Sequence, residues 1–427
     1  MEPCQNTMER KMTYQHKVGR RHFLQLSTLA AATPWLSEAA RGTEGHRELI
    51  ESISVEAVDD GRNREEAWSW FHPRACMIPG SDPPIALMTM QRISGSDYFW
   101  PVQWCSSSDL GKTWSEPAFI PGLGRHDTDT PGLAEGVCDA SPDYHPATNT
   151  TLAMGHNVYY RGGHLARPQG PRWPVYTVRD ADGNWSEPQK LVWNDPRGTQ
   201  IYTSNCGQRI VLESGDLLLP LSFGNADWPA RRVSSALCSF DGTTLAIKQV
   251  GNELINDAKR GLLEPSLAQF AGHYFMTIRA EDGHGYVSRS DDGLQWARQK
   301  AWAWDDGQPL TMSTTQQHWL THSDGLFLVY TRKAVENVNV MRWRSPIYVA
   351  QVDPDRLCLV RATERVVLPM IGDGVNDPDH VARMGNFHIT HATPHESWVT
   401  VGECLPKDGW RGNLLLARIR WKTPNRR

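Results

Sequence analysis

The chain has 427 residues, a formal net charge of −4 and 22% charged residues without a long run of one sign. That balance excludes a basic nucleic-acid-binding face, and the length allows one large domain or two ordinary ones. The 18 tryptophans, 35 glycines and 28 prolines, set among many short apolar runs, favour an all-β chain.

At the N-terminus, Gly19-Arg20-Arg21-His22-Phe23-Leu24-Gln25 carries a twin arginine. An apolar stretch from Leu24 to Leu36 and the small-x-small site Ser37-Glu38-Ala39 follow, as in an export leader. The stretch is too short to span a bilayer. Residues 1–39 are therefore expected to be a twin-arginine signal peptide and 40–427 a single domain. The twin-arginine export machinery is its expected partner, the periplasm or the cell exterior its destination, and no stable membrane insertion is expected. Eight cysteines, Cys4 among them, show no Cys-x-x-Cys spacing. No metal and no cofactor are expected, and one or two disulfides remain open.

Further along, Ser107-Ser108-Asp109-Leu110-Gly111-Lys112-Thr113-Trp114 reads Ser-x-Asp-x-Gly-x-Thr-Trp. The Asp side chain suits a turn in which it accepts backbone amide hydrogens, Gly111 suits a left-handed backbone, and Trp114 is expected to start the next strand. Asp182-Gly183 ahead of Trp185-Ser186-Glu187-Pro188 is a degenerate echo. Ser239–Leu245 and Ser290–Trp296 are contracted forms. Strands are expected at Arg209–Leu212, Leu217–Pro220, Tyr274–Ile278, Leu326–Tyr330 and Ile347–Ala350. Repeats recurring roughly every 50 to 70 residues match a four-stranded blade with its loops. The fold expected is an all-β, six-bladed β-propeller of four-stranded antiparallel blades, with a β-sandwich as runner-up.

The repeated turn is the Asp box, and with the residues around it the chain resembles the sialidase (neuraminidase) superfamily over nearly its whole mature length. Phe71-His72-Pro73-Arg74 is a looser form of that family's first Arg motif, and Asp97 in Ser94-Gly95-Ser96-Asp97-Tyr98 stands where its acid/base Asp lies. Leu263-Glu264-Pro265-Ser266 and Thr277-Ile278-Arg279 resemble its Glu and second Arg. The resemblance implies substrate-binding roles for Arg74, Arg92, Arg279 and Arg344, with Arg342 competing for the last place. It implies catalytic or supporting roles for Asp97, Glu264 and Glu403, with Glu403 orienting Arg74. Three guanidinium groups on one point would clamp a planar carboxylate, so the partner implied is an acidic glycan. The same alignment puts Phe387 where the family has a nucleophilic Tyr.

Three activities stay open on these residues. The first is a sialidase-like exo-glycosidase removing terminal acidic sugars. The second is a lyase or inverting hydrolase on uronate polysaccharide, which would draw on Asp127, Asp129, Glu135, Asp139, His145, His156, Tyr159 and Tyr160 of the segment His126–His164. The third is a glycan-binding propeller without catalysis.

Overall fold

A computed structural model describes residues 47–426 apart from positions 204, 205, 229 and 313. The leader read at 1–39 lies outside these residues, as does Cys4. The chain is 49% strand and 4% helix, arranged as six antiparallel four-stranded blades in a ring. It is a six-bladed β-propeller.

Blade I runs Ser69–Ile78, Ile85–Ile93, Gln103–Ser107 and Ala118–Phe119 outwards from the axis. Blade II begins with the long hairpin Leu133–His145 and Thr150–Arg161, so most of the polar segment read from His126 is sheet. Blade III is built on Gln200–Thr203, Leu217–Gly224, Arg232–Phe240 and Leu245–Val250, and blade IV on Leu263–Phe270, His273–Arg279, Gly285–Ser290 and Lys300–Ala301. Blade V has His318–His322, Gly325–Tyr330 and Ile347–Asp353 at its centre.

Blade VI closes the ring with both ends of the chain. Its strands His388–Thr393, Glu396–Gly402 and Leu414–Trp421 are completed by Ile50–Asp59, paired from Ile50↔Trp421 to Asp59↔Leu414. Strands wedged between neighbouring blades bury both faces and read as continuous apolar runs. Leu217–Gly224 and Gly325–Tyr330 are buried at every residue. The outer strand Ile50–Asp59 is mostly exposed.

The Ser107–Trp114 turn joins the third strand of blade I to the fourth. Ser107 Oγ accepts the Gly111 N–H (2.8 Å), and Asp109 accepts the Thr113 N–H (2.9 Å) and hydroxyl (2.6 Å). Gly111 has φ +77°, and a Cβ there would meet Trp398 and Leu416 of blade VI at 3.3 Å. Trp114 precedes the outer strand instead of starting it, and its ring packs edge-on against Trp398 (6.3 Å). The turn therefore fastens blade I to blade VI. Asp241 and Asp292 repeat the carboxylate-to-amide bonds in blades III and IV. In blade II the residue doing so is Asp180, two positions before the Asp182 read from sequence. The seven described cysteines are buried and unpaired, so none of them forms a disulfide.

Candidate functional site

Strand direction alternates within each blade, so these turns and the first residues of the innermost strands lie on opposite faces. On the second face, the innermost strands of blades I, II and IV each slip register. The slips fall between Phe71 and Arg74, Cys138 and Ser141, and Leu263 and Ser266. Each holds a non-glycine residue in the left-handed region: His72 (φ +52°), Asp139 (φ +56°) and Glu264 (φ +45°). Such bulges re-aim a side chain, and the left-handed backbone costs about 1–3 kcal/mol per residue. Pro73 and Pro265 follow two of them and donate no hydrogen bond to the ladder.

Arg74 is fully buried (0% exposed) and ties four blades together. Its Nε and Nη2 fork onto Asp139 (2.8 and 3.0 Å), Nη2 also reaches Gln316 (2.9 Å), and Nη1 reaches the Phe387 carbonyl (2.5 Å). Burial alone would push the Asp139 carboxyl up. The Arg74 charge beside it, with His72 3.7 Å away, instead holds it well below the usual carboxylate range. Burial pushes the His72 imidazole down to about 4 and His388 to about 3, and drives His318 well below its ordinary value. Three neutral histidines thus surround one ion pair.

Glu403 is buried, but its carboxylate is forked by Arg62 (Nε–Oε2 2.7 Å), whereas Arg74 has Asp139. Arg62 was not picked out from the sequence because it lies in the approach to blade I, far along the chain from Glu403. Arg92 stacks on the rings of Trp68 (4.1 Å) and Trp70 (5.5 Å).

The other predicted residues come together. Arg279 donates to Glu264 (2.5 Å) and faces Glu281 (3.6 Å), which is also forked by Arg260. Arg344 is held by its carbonyl, which accepts the Met384 N–H (2.8 Å), and its side chain lies against Gly385, where a Cβ would meet Cδ and Nε at 2.7 Å. Burial pushes the Arg344 guanidinium down to about 10. The charges of Arg279 and Arg342 add to that, and Glu264 and Asp97 oppose it. Arg342, with φ +55°, is likewise lowered by burial and then by Arg279. Both Arg342 and Arg344 belong to this cluster. Asp97 is exposed in a turn at φ +54°.

Three buried polar atoms of the cluster have no hydrogen-bond partner: Arg279 Nε, Arg344 Nε and Glu264 Oε2. Convergent guanidinium groups with unspent donors are arranged to receive an oxyanion. Phe387 is completely buried, its ring edge-on to His318 (5.1 Å). In blade II, His145 uses both ring nitrogens, on Thr148 (2.8 Å) and the Gly215 carbonyl (2.8 Å). The site reading from sequence did not include His72, His318 or Gln316. For His72 there was a signal, since Phe71-His72-Pro73 repeats the apolar-x-Pro form of Leu263-Glu264-Pro265. A groove of about 530 Å³ between the outer strands of blades II and III, lined by Lys190, Trp193 and Gln249, contains none of these groups.

Comparison of the sequence with protein-family models and with curated proteins gives no match. The fold does match solved structures. A protein of unknown function from Dyadobacter fermentans aligns with a TM-score of 0.59 at 14% identity, over 86% of this chain and 99% of that one. Trypanosoma rangeli sialidase in complex with the inhibitor DANA aligns with a TM-score of 0.58 at 14% identity, over 87% of this chain and 60% of that one. The structure titled NanB plus Optactamide aligns with a TM-score of 0.55 at 11% identity, over 82% of this chain and 68% of that one. This chain therefore spans about 60% of the trypanosomal enzyme. At these identities the likeness is one of fold.

Proposed function

We propose that this propeller is an exported, sialidase-like glycosidase that removes a terminal carboxylate-bearing sugar from a glycan. The observation that carries the reading is the convergence of Arg279, Arg342 and Arg344 beside Glu264 and Asp97, with the Nε atoms of Arg279 and Arg344 unsatisfied. In this reading Arg279 and Arg344 grip the sugar carboxylate by two parallel N–H···O bonds each way, an arrangement a lysine cannot reproduce. Glu264 holds Arg279 in place. Asp97, now exposed, would be desolvated by the bound glycan and deliver its proton to the leaving oxygen.

Arg74 is assigned to support, because four of its hydrogen bonds are spent inside the ring. With a phenyl ring at position 387 the covalent tyrosyl route has no nucleophile there, so in this reading water attacks the anomeric carbon as its bond to the protonated leaving oxygen breaks, the water's proton passes to solvent, and the anomeric centre inverts. The Asp boxes fasten blades on the other face, and the twin-arginine leader delivers the protein to the periplasm or beyond.

Arg279→Ala is expected to lower kcat/KM on a 4-methylumbelliferyl sialoside or uronide by about 100-fold or more, roughly 3 kcal/mol of transition-state binding. Its far-ultraviolet circular dichroism should match the parent. Unchanged activity in a folded variant would sink the assignment. Proton NMR of the first product anomer distinguishes inversion from retention. The burial of Phe387 also favours a second reading, a glycan-binding propeller, which predicts saturable binding with no product.

A further inference from the structure

The arginines of the clamp continue across blades III and II. Arg231, in the turn that follows Leu217–Gly224, is locked onto the approach to blade IV. Its N–H donates to the Arg260 carbonyl (2.8 Å), and its own carbonyl accepts the Leu262 N–H (2.9 Å). Its guanidinium lies over the Tyr202 ring, 3.9 Å from the centroid. Tyr202 donates its hydroxyl hydrogen to the Asn225 carbonyl (2.8 Å), which fixes the ring under that charge. Next to it, Gln200 accepts the backbone N–H of Arg172 (3.1 Å). Arg260 then bridges back to the clamp, since it forks onto the same Glu281 that faces Arg279.

This belt is under-neutralised. Arg260 and Arg279 have acids, but among the described residues neither Arg172 nor Arg231 has a carboxylate within 4.0 Å. Among the described residues the Arg172 guanidinium donates only to the neutral Gln169 (Nη1–Oε1 3.0 Å), and its Nε is buried with no partner. Burial, followed for Arg231 by the Arg260 charge, pushes both guanidinium groups down. Unpaired, partly buried cations that repel one another are costly in an unliganded protein. Held within electrostatic reach of one another they also concentrate a field that draws anions.

We propose that Arg172 and Arg231, with Tyr202 beneath Arg231, form a second anion subsite continuous with the clamp. It receives a second acidic group of the same glycan, so the substrate class is a polyanionic glycan carrying further carboxylates or sulfate esters. The proposal rests on the glycan reading of the clamp. Both kinds of group present two oxygens to a guanidinium fork, so the ligands of the test separate them.

Binding to the mature chain is measured by titration calorimetry. One series is sialyl-galactose, its 6-sulfate and α2,8-linked disialic acid. The other is methyl galacturonoside against digalacturonic acid. The parent is expected to bind at least one dianion about tenfold tighter than its monoanion, the effect of one charge-assisted pair. Preference for the sulfate or for the second carboxylate identifies the group. Arg231→Gln and Arg172→Gln, on different blades, should each remove most of that preference and leave the monoanion unaffected. Arg279→Ala should weaken both ligands alike. If Arg279→Ala leaves monoanion binding intact while Arg231→Gln still removes the preference, the clamp reading fails and the subsite stands. A parent without preference for any dianion, or variants that weaken both ligands equally, would overturn the subsite.

Discussion

His72, His318 and His388 are three imidazoles with almost no exposure, packed around the Arg74–Asp139 pair. Burial depresses all three, His72 to about 4 and His388 to about 3. In the unfolded chain each titrates near its ordinary value of ~6.5. Between the two values the unfolded state binds protons that the folded state refuses. Stability is therefore complete above about pH 6.5 and falls as the pH drops towards 4, by up to about 1.4 kcal/mol per pH unit for each histidine. Urea midpoints measured from pH 7.5 to 4.5 should fall accordingly, and His388→Gln should flatten the slope by one histidine's share. An unchanged slope would mean that His388 is not held neutral. At this scale Glu264 and Arg279 were legible because a Glu-Pro step and a strand-ending Arg stand close together in the chain. The partners of Arg74 and Glu403 were not, since Asp139 and Arg62 reach them across blades.

The turns are the elements most fully readable from local sequence. A Ser–Asp–Gly spacing of two residues each sets which amides can reach which oxygens, and those bonds need nothing outside the turn. Ser107 is 3% exposed and serves both the Gly111 amide and Asp109. Ser107→Ala should therefore cost about 1 kcal/mol of stability. Because the turn lies on the face opposite the arginine cluster, kcat/KM should stay at the parental value. A loss of activity larger than the loss of folded protein would show that the two faces are coupled. The bulges of the innermost strands were hidden by contrast. A register slip at Cys138-Asp139-Ala140 leaves no residue signature, because it depends on how the neighbouring strand pairs.

For the whole molecule, ring closure depends on a strand from the start of the described chain. Leu49 and Ile50 are buried in one cluster with Phe327, Val349 and Trp421, which joins blades V and VI. The Leu49 carbonyl accepts the Lys422 N–H (2.9 Å). Removing residues 47–59 would take both side chains away, uncover the apolar surface of blades V and VI that they pack on, and leave the last blade three-stranded. Burial of two such residues is worth about 5 kcal/mol, so the thermal midpoint should fall by about 6 °C for a molecule of this size. A midpoint within a degree or two of the parent would show that the ring does not need this closure.

From its sequence alone this chain is an all-β propeller, because blade-length repeats, apolar strand runs and self-contained turns are local properties. The order of Arg74, Asp97, Glu264, Arg279 and Arg344 along it was also visible. Which of them lie within electrostatic reach of one another depends on the tertiary structure. Arg279, Arg342 and Arg344 meet beside Glu264, while Arg74 is consumed by Asp139, Gln316 and Phe387. The physical reason is that a guanidinium is available to a ligand only when nearby blades leave its donors unspent, and no spacing along one strand records what the other blades supply.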